Sequence, residues 1–457
     1  MDYQTLYERT PVNRLFAIVA LPSTVSMLVS SLYQVLDGAF VGRILGAEAF
    51  AAINLAMPLV IINFALADLI GVGSSVPIAI RLGERDEAAA SNLFSSACLL
   101  IALLGVAIGG ALFLLAEPLL GLMGAGQPLV EGGAQYLRVY ALSAPFTTIV
   151  FAVDNYLRIC GKVRFSMVVN ILMSFASIIL EFLFLYVFEF GIWGAALATC
   201  LGMFLCALIA LWPFWRGLLP LRFTRPRLDR GTVRCILANG TPSFLNNTAG
   251  RITSIVINVF LLRLGGAPAV AAYGVLMYVD SVFQPVLYGR CDALQPAIGY
   301  NHGAGNHRRV DAIRRRCFLI CGALSALMTA AVFWGRDALV GLFVQAEEPA
   351  LLTLSTQALA LFAFAYLPRW VAMVAQTYLS ALGKAGAATV LSLSVALLFP
   401  LLALFALRPL GLSGIWLNMP VSCLMAALLS VGLLCATRRR DERAAASAAP
   451  GQAVGGE

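Results

Sequence analysis

Apolar residues follow one another in long runs along this chain, and polar residues gather between the runs. Each run is long enough to cross the ~30 Å hydrocarbon core of a bilayer as a helix of about 20 residues. The pattern predicts twelve spans, which start near Arg14, Ala52, Asn92, Ala134, Ser166, Ile192, Ile236, Val270, Ile313, Thr353, Ala388 and Leu412. Strand-like alternation is scarce, so we predict an all-α polytopic membrane protein rather than a membrane barrel.

The second half of the chain repeats the first at a spacing of about 220 residues. The matched positions are mainly glycine, proline and basic residues: Pro22 and Pro242, Gly46 and Gly266, Gly83 and Gly303, Gly191 and Gly411, Lys162 and Lys384. Each copy has an even number of spans, so the copies are related in parallel. We predict two six-helix lobes, 1–215 and 236–437, a cytoplasmic linker, 216–235, and a disordered cytoplasmic tail, 438–457. A cleft between such lobes is the usual place of a transport site.

The composition supports a membrane protein and argues against a nucleic-acid partner. The chain is 60% hydrophobic and 12% charged, with a mean hydropathy of +0.88. Its net charge of +8 comes from arginines that are concentrated in alternate loops. This bias follows the positive-inside rule and predicts a multi-pass protein with both termini in the cytoplasm. The basic residues therefore set the topology and need not bind nucleic acid.

Two predicted spans carry polar side chains at steps of four, three and four residues, which place them on one helix face. The first stripe consists of Ser26, Ser30, Tyr33 and Asp37, and the second of Asn170, Ser174, Ser177 and Glu181. Ionisable groups inside a bilayer are costly and are therefore functional candidates. Both acids fall in the outer half of the first lobe, and two acids in one pocket would form a proton-binding or cation-binding pair. A carboxylate at the water interface is the alternative for Asp37.

Further polar and aromatic residues are candidates for lining a substrate cleft: Asp280, Asp68, Gln284, Arg251, Asn247, Met57 and Tyr278. Asp37 aligns with Ile257 in the second copy, so the second lobe lacks the equivalent acid. Arg251 supplies either an anion contact or an ion pair with Asp280, and both readings stay open. Methionine and aromatic side chains suit flat organic cations.

Two further charged groups are predicted to be structural. Asp154 and Arg158 stand four residues apart at a cytoplasmic helix end, the spacing of an ion pair on one helix face. Asp292 lies near a cytoplasmic end and is expected to pair with neighbouring arginines.

Several segments resemble the MATE (multidrug and toxic compound extrusion) family, in particular its DinF-like bacterial branch. The first-span signature reads Leu32-Tyr33-x-x-x-Asp37-x-x-Phe40-Val41-Gly42, followed by Leu45-Gly46-Ala47-x-Ala49-x-Ala51-Ala52. The connection between the eighth and ninth spans reads Gln295-Pro296-x-Ile298-Gly299-Tyr300-Asn301-x-Gly303-Ala304-Gly305. The resemblance covers all twelve predicted spans.

The resemblance implies an antiporter of the bacterial inner membrane that expels organic, often cationic, compounds in exchange for protons or sodium. It implies no other cofactor, and we expect the chain to work as a monomer. The ion-coupling candidates are then Asp37, Glu181, Ser177 and Tyr33, since Asp37 matches the first-span acid. The branch usually carries Asn-x-x-x-Asp-Pro in its fifth span, whereas this chain reads Ser177-x-x-x-Glu181-Phe182. Loss of the amide weakens a fixed sodium cage and favours protons.

Other functions fit the residues less well. A flippase for a lipid-linked or polysaccharide precursor would be expected to place several cationic side chains in its cleft. The spans carry Arg138, Arg251, Arg290 and Arg369 against the acids Asp37, Asp68, Glu181 and Asp280. An enzyme is not expected, because no His-Glu-x-x-His, Gly-x-Ser-x-Gly or Gly-x-x-x-x-Gly-Lys-Ser/Thr motif occurs.

Overall fold

The structure is a computed structural model that describes residues 2–123, 126–344 and 348–448, apart from the side chains of Val35, Ala39, Ala47 and 441–448. These residues are helical almost throughout and include no strand. The helices are α1 (Val12–Ile44), α2 (Gly46–Gly83), α3 (Glu87–Leu122), α4 (Gln127–Ile159), α5 (Val163–Glu181), α6 (Ile192–Trp215), α7 (Arg230–Asp292), α8 (Gln295–Gly303), α9 (His307–Gly341), α10 (Pro349–Ala363), α11 (Tyr366–Ala381), α12 (Ala385–Leu393), α13 (Phe399–Ala406) and α14 (Leu412–Ala448). The all-α prediction is confirmed.

The predicted spans fall on these helices. Among the described residues, 10 helices are long and apolar enough to cross a membrane, and α10 with α11, bent by 49° at their junction, makes another. The predicted seventh and eighth spans are the two helical parts of α7, which are separated by non-helical backbone at Gly266. Counting α7 as two spans therefore accounts for all twelve.

The repeated glycines mark matching turns in the two copies. Gly46, the first residue of α2, has φ 85°, and its counterpart Gly266 has φ 64°. Gly191, before α6, has φ 73°, and its counterpart Gly411, before α14, has φ 61°. These are left-handed conformations, which glycine adopts without steric cost because it has no Cβ. The sequence repeat thus corresponds to a repeat of backbone conformation.

The matched pair Gly83 and Gly303 serves a different purpose. A Cβ atom on Gly83 would collide with the carbonyl oxygen of Tyr300, and one on Gly303 would collide with that of Ile80. The C-terminal ends of α2 and α8 are therefore in direct backbone contact, with each glycine against the other helix. Small residues allow this close approach, as they do in other membrane helix pairs.

The connection between the repeats, residues 216–229, is not helical and lies against α3. Backbone N–H groups of Arg222, Thr224 and Arg227 donate to side chains of Ser91, Ser95 and Asn92, at 3.2, 2.9 and 2.9 Å. The predicted linker 216–235 is shorter in the structure because α7 begins at Arg230. Asp229 caps that helix by accepting from the Gly231 and Thr232 N–H groups, and its hydrogen bonds with Thr232 lower the pKa of the carboxyl.

The chain divides into two compact units. The first contains residues 2–248, Tyr278–Cys317 and Ser380–Ala385; the second contains Ala249–Met277, the described part of Phe318–Leu379, and 386–448. The tail predicted to be disordered begins within α14, which runs to Ala448, and residues 449–457 lie outside the described residues.

Candidate ion-coupling and substrate sites

The two polar stripes meet where α1 packs against α5, and α6 packs against α5 in turn. Asp37 and Tyr33 come from α1, and Glu181 and Ser177 come from the C-terminal part of α5. The four ion-coupling candidates of the sequence are therefore neighbours in the first unit. Helical spacing alone placed each pair on one face, and the packing of α1 on α5 turns the two faces toward each other.

Glu181 is the most unusual group in this site. Its side chain is 1% exposed, and neither carboxylate oxygen has a hydrogen-bond partner among the described residues. One ionisable group beside it is Asp37, another acid, which is half-buried. An ionised carboxylate that is buried without a partner costs a great deal of free energy. The site therefore calls for a bound proton or cation.

Hydroxyl groups surround the acids. The Tyr33 hydroxyl lies 3.4 Å from the Thr199 Oγ1 atom of α6, and Ser177, Asp37 and Glu181 are its other polar neighbours. Gly202, on α6, allows this packing, because a Cβ there would come within 3.3 Å of the Ser177 backbone nitrogen and closer still to its Oγ. Thr199 is buried and was not among the residues predicted from the sequence.

Two further tyrosines escaped the sequence analysis. Tyr136 and Tyr140, one turn apart on α4, are buried beside Asp37 and Tyr33, with their ring centroids 5.1 Å apart. Their four-residue spacing indicates that they share one face of α4, but many aromatic residues in membrane spans have the same spacing, so it does not single them out as site residues. Their rings add buried aromatic surface beside Asp37.

The backbone changes character immediately after Glu181. Residues Phe182–Val187 form a π-helix, and the Phe188 N–H donates to the Leu183 carbonyl at 2.9 Å. Single π turns inside helices are rare and often occur at functional sites. The π-helix begins at Phe182, the position at which the resembled branch usually carries proline.

The predicted substrate residues are placed in different surroundings. The Asn247 amide donates to Asp68 at 3.4 Å, so these two residues come together. Met57 packs against the apolar cluster that contains Tyr136 and Tyr140.

On α7, Asp280 is buried, whereas the side chains of Tyr278 and Gln284 are exposed. Arg251 is exposed and belongs to the second unit.

A second charged cluster surrounds Arg158 near the C-terminal end of α4. Its guanidinium pairs with Asp154 at 2.6 Å, as the sequence predicted, and also with Asp292 of α7 at 3.1 Å. Ser166 and Asn170 of α5 donate to Asp154. The polar stripe on α5 therefore contacts this charged cluster through Asn170 and the candidate ion-coupling site through Ser177 and Glu181. Breaking a buried pair of this kind leaves an uncompensated charge. The cluster thus joins α4 of the first copy to α7 of the second.

We expect Tyr33→Phe to slow transport by only about two- to fivefold, the equivalent of about 0.5–1 kcal/mol, because it removes one neutral, long hydrogen bond. The measurement is the initial efflux rate from vesicles, with Tyr186→Phe as the control because Tyr186 is exposed. Complete loss of transport would instead show that the phenol is itself required for ion exchange.

The fold and this site define the class of protein. Long apolar helices in two repeated copies, with the Glu181 carboxylate buried in the first copy without a hydrogen-bond partner among the described residues, are the features of a secondary transporter. A family model described as MatE matches residues 22–183 and 242–405, one match in each copy. The chain belongs to the MatE family, whose members are transporters and not enzymes. The resemblance inferred from the motifs is confirmed.

Named relatives and solved structures agree with this assignment. The chain is 27% identical over 445 residues to the multidrug export protein MepA of Staphylococcus aureus strain NCTC 8325 / PS 47, covering 95% of this chain and 96% of that protein. It is 26% identical to MepA of Staphylococcus saprophyticus, with the same coverage. A MATE protein solved in complex with MaD3S superposes with a TM-score of 0.89 at 25% identity, covering 96% of this chain and 98% of that one.

Proposed function

We propose that this chain is an antiporter that exports organic cations in exchange for protons, with Asp37 and Glu181 as the coupling pair. The observation that carries the proposal is the buried Glu181 carboxylate, which lies next to a second acid and has no hydrogen-bond partner among the described residues. A proton arriving there removes the cost of a buried charge, and its departure restores that cost. The site can thus exchange one positive charge for another.

The exchange requires alternating access. In our proposal the two lobes, 1–215 and 236–437, open the cleft to one side of the membrane at a time. Protonation from outside releases the cationic substrate outward, and deprotonation toward the cytoplasm restores the state that accepts substrate. Competition of proton and substrate for one site is sufficient for coupling, because each ligand lowers the apparent affinity for the other.

Multidrug export is the proposed task because the relatives that align over nearly the whole chain are named as multidrug export proteins. Cationic substrates are favoured by acids in the membrane-spanning helices, including Asp68 and Asp280 in addition to the coupling pair. Protons are favoured over sodium because Ser177 offers one hydroxyl oxygen where an amide would complete an oxygen cage. Both termini are proposed to be cytoplasmic.

The test is efflux of a fluorescent organic cation from vesicles that contain the purified protein. We expect a pH gradient without sodium to drive efflux, and a sodium gradient at constant pH to have no effect. Efflux that requires sodium would overturn proton coupling and make the hydroxyl groups around Glu181 candidates for sodium ligands. Failure of both gradients would overturn the export proposal and leave lipid-linked precursor flipping as the function to test.

A further inference from the structure

We propose that the N-terminal segment, residues 2–10, is a latch that holds the predicted cytoplasmic ends of the two repeats together and must detach before that side opens. The proposal rests on the alternating access described above. It goes beyond that mechanism by assigning closure of one side to a specific segment outside the membrane spans.

The N-terminal latch is packed into the protein rather than lying loose on its surface. Tyr3, Leu6, Tyr7 and Thr10 are 4%, 1%, 1% and 5% exposed, and Thr5–Arg9 forms a π-helical turn. Chain termini are usually poorly ordered unless specific contacts hold them. Burial of this many large side chains in such a short stretch therefore indicates a docked segment.

One side of the latch binds the first repeat. The Tyr7 hydroxyl donates to the Arg158 carbonyl at the end of α4, and the Tyr3 hydroxyl donates to Glu87 of α3 at 2.9 Å. The Tyr3 backbone lies so close to Gly161 that a Cβ there would be 3.0 Å from the Tyr3 Cα atom. Burial raises the pKa of both tyrosine hydroxyls, so both remain protonated donors.

The other side of the latch binds the second repeat. The Tyr7 carbonyl accepts from the Asn301 amide at 3.0 Å and from the Arg309 Nε atom at 2.7 Å. Arg309 also donates to the Thr10 carbonyl. The Tyr300 ring packs against those of both Tyr3 and Tyr7, with centroid distances of 5.9 and 6.0 Å.

Tyr7 is therefore a bridge between the two copies. Its hydroxyl holds the end of α4, and its carbonyl holds α8 and the first turn of α9. The same region contains the backbone contact of Gly83 with Tyr300 and the ion pair of Arg158 with Asp292. If the two copies separate at this end, the latch must lose its bonds to one of them. Those bonds thus set how readily this side opens.

A buried serine can report the opening. Ser75, on α2, is buried and lines a small cavity together with Arg158, Asp292 and Gln295. Among the described residues, its hydroxyl donates to the Val72 carbonyl of its own helix, at 2.7 Å, so Ser75→Cys is a mild change. A membrane-impermeant maleimide added to inside-out vesicles would reach this cysteine when the predicted cytoplasmic side opens. Labelling of the parent chain without Ser75→Cys gives the background of the native cysteines.

The decisive comparison is Arg309→Gln against Arg308→Gln. Both variants remove one positive charge from the start of α9, but Arg308 is exposed whereas Arg309 holds the latch. We expect Arg309→Gln to raise the labelling rate of Ser75→Cys by about tenfold, the factor for losing hydrogen bonds from a charged donor. Arg308→Gln should leave the rate unchanged. Equal rates in the two variants, or slower labelling in Arg309→Gln, would overturn the latch.

A second variant keeps the proposal testable if Arg309→Gln does not fold. Tyr7→Phe removes only the hydroxyl bond to Arg158 and should raise labelling by about threefold, as expected for one neutral hydrogen bond. An unchanged rate in Tyr7→Phe would contradict the latch. The labelling needs neither substrate nor an ion gradient, so its result is independent of the efflux test of the proposed function.

Discussion

Replacing Glu181 with glutamine should abolish gradient-driven efflux while leaving the protein folded. Glutamine has the shape of a protonated glutamate but cannot release a proton, so the coupling step is lost. Because neither Glu181 oxygen has a hydrogen-bond partner among the described residues, the substitution removes no hydrogen bond from the folded protein. Replacing a buried, unpartnered acid by a neutral group should therefore maintain or raise the thermal unfolding temperature.

The measurement combines efflux from vesicles with the unfolding temperature of the purified protein. Glu189→Gln is the matched control, since Glu189 lies shortly after the same helix and is exposed. Asp37→Asn should also abolish efflux. Efflux at the wild-type rate in either Glu181→Gln or Asp37→Asn, at normal expression, would rule out the proposed coupling pair.

Alanine at Gly83 or Gly303 should disrupt the contact between α2 and α8. The added methyl group would meet a backbone carbonyl in either variant, and backbone cannot move aside as a flexible side chain can. Overpacking of this kind costs about 1–3 kcal/mol. We expect a lower unfolding temperature and reduced efflux, with both glycines giving similar effects because each opposes the other helix.

Gly110→Ala provides the control for this pair of variants. Gly110 lies within α3, and a Cβ there would have no atom within 4 Å. Alanine should therefore stabilise that helix by about 0.5–1 kcal/mol. If Gly83→Ala were as stable as Gly110→Ala, the two helix ends would not be in the close contact described.

Much of the fold could be predicted from the sequence because the bilayer constrains it strongly. Apolar runs of spanning length must be helices, and the matched glycines Gly46 and Gly266 marked equivalent turns. The break at Gly266 was predicted as a gap between two helices. The sequence indicated the break at Gly266 correctly. It did not show that the two helical parts of α7 follow each other there without an intervening loop.

The candidate site was predictable only in part. Helical spacing placed Ser177 and Glu181 on one face, but it does not specify the neighbouring helix. Thr199 and Tyr136 were therefore missed, since they reach the acids from α6 and α4. Asn170 belongs to the same stripe as Glu181, yet it binds Asp154, because one helix face can meet two different neighbours along its length.

Contacts between distant segments were the hardest to foresee. The pairing of Arg158 with Asp292 depends on how α4 meets the end of α7, and single-helix periodicity carries no information about that. Residues 2–10 have no long apolar run, so nothing in their pattern distinguished them from an ordinary terminus. Their burial depends on a surface that exists only after both repeats have folded.

The connection at residues 216–229 shows how the first copy of the repeat is joined to α7. Its backbone is hydrogen-bonded to side chains of α3, which belongs to the first copy of the repeat. The connection is therefore held in place rather than free to extend. The chain passes from the first unit to the second inside α7, between Thr248 and Ala249. The start of α7 is therefore anchored to α3 through this connection, and a helix transmits rotation and displacement that a loose loop would absorb.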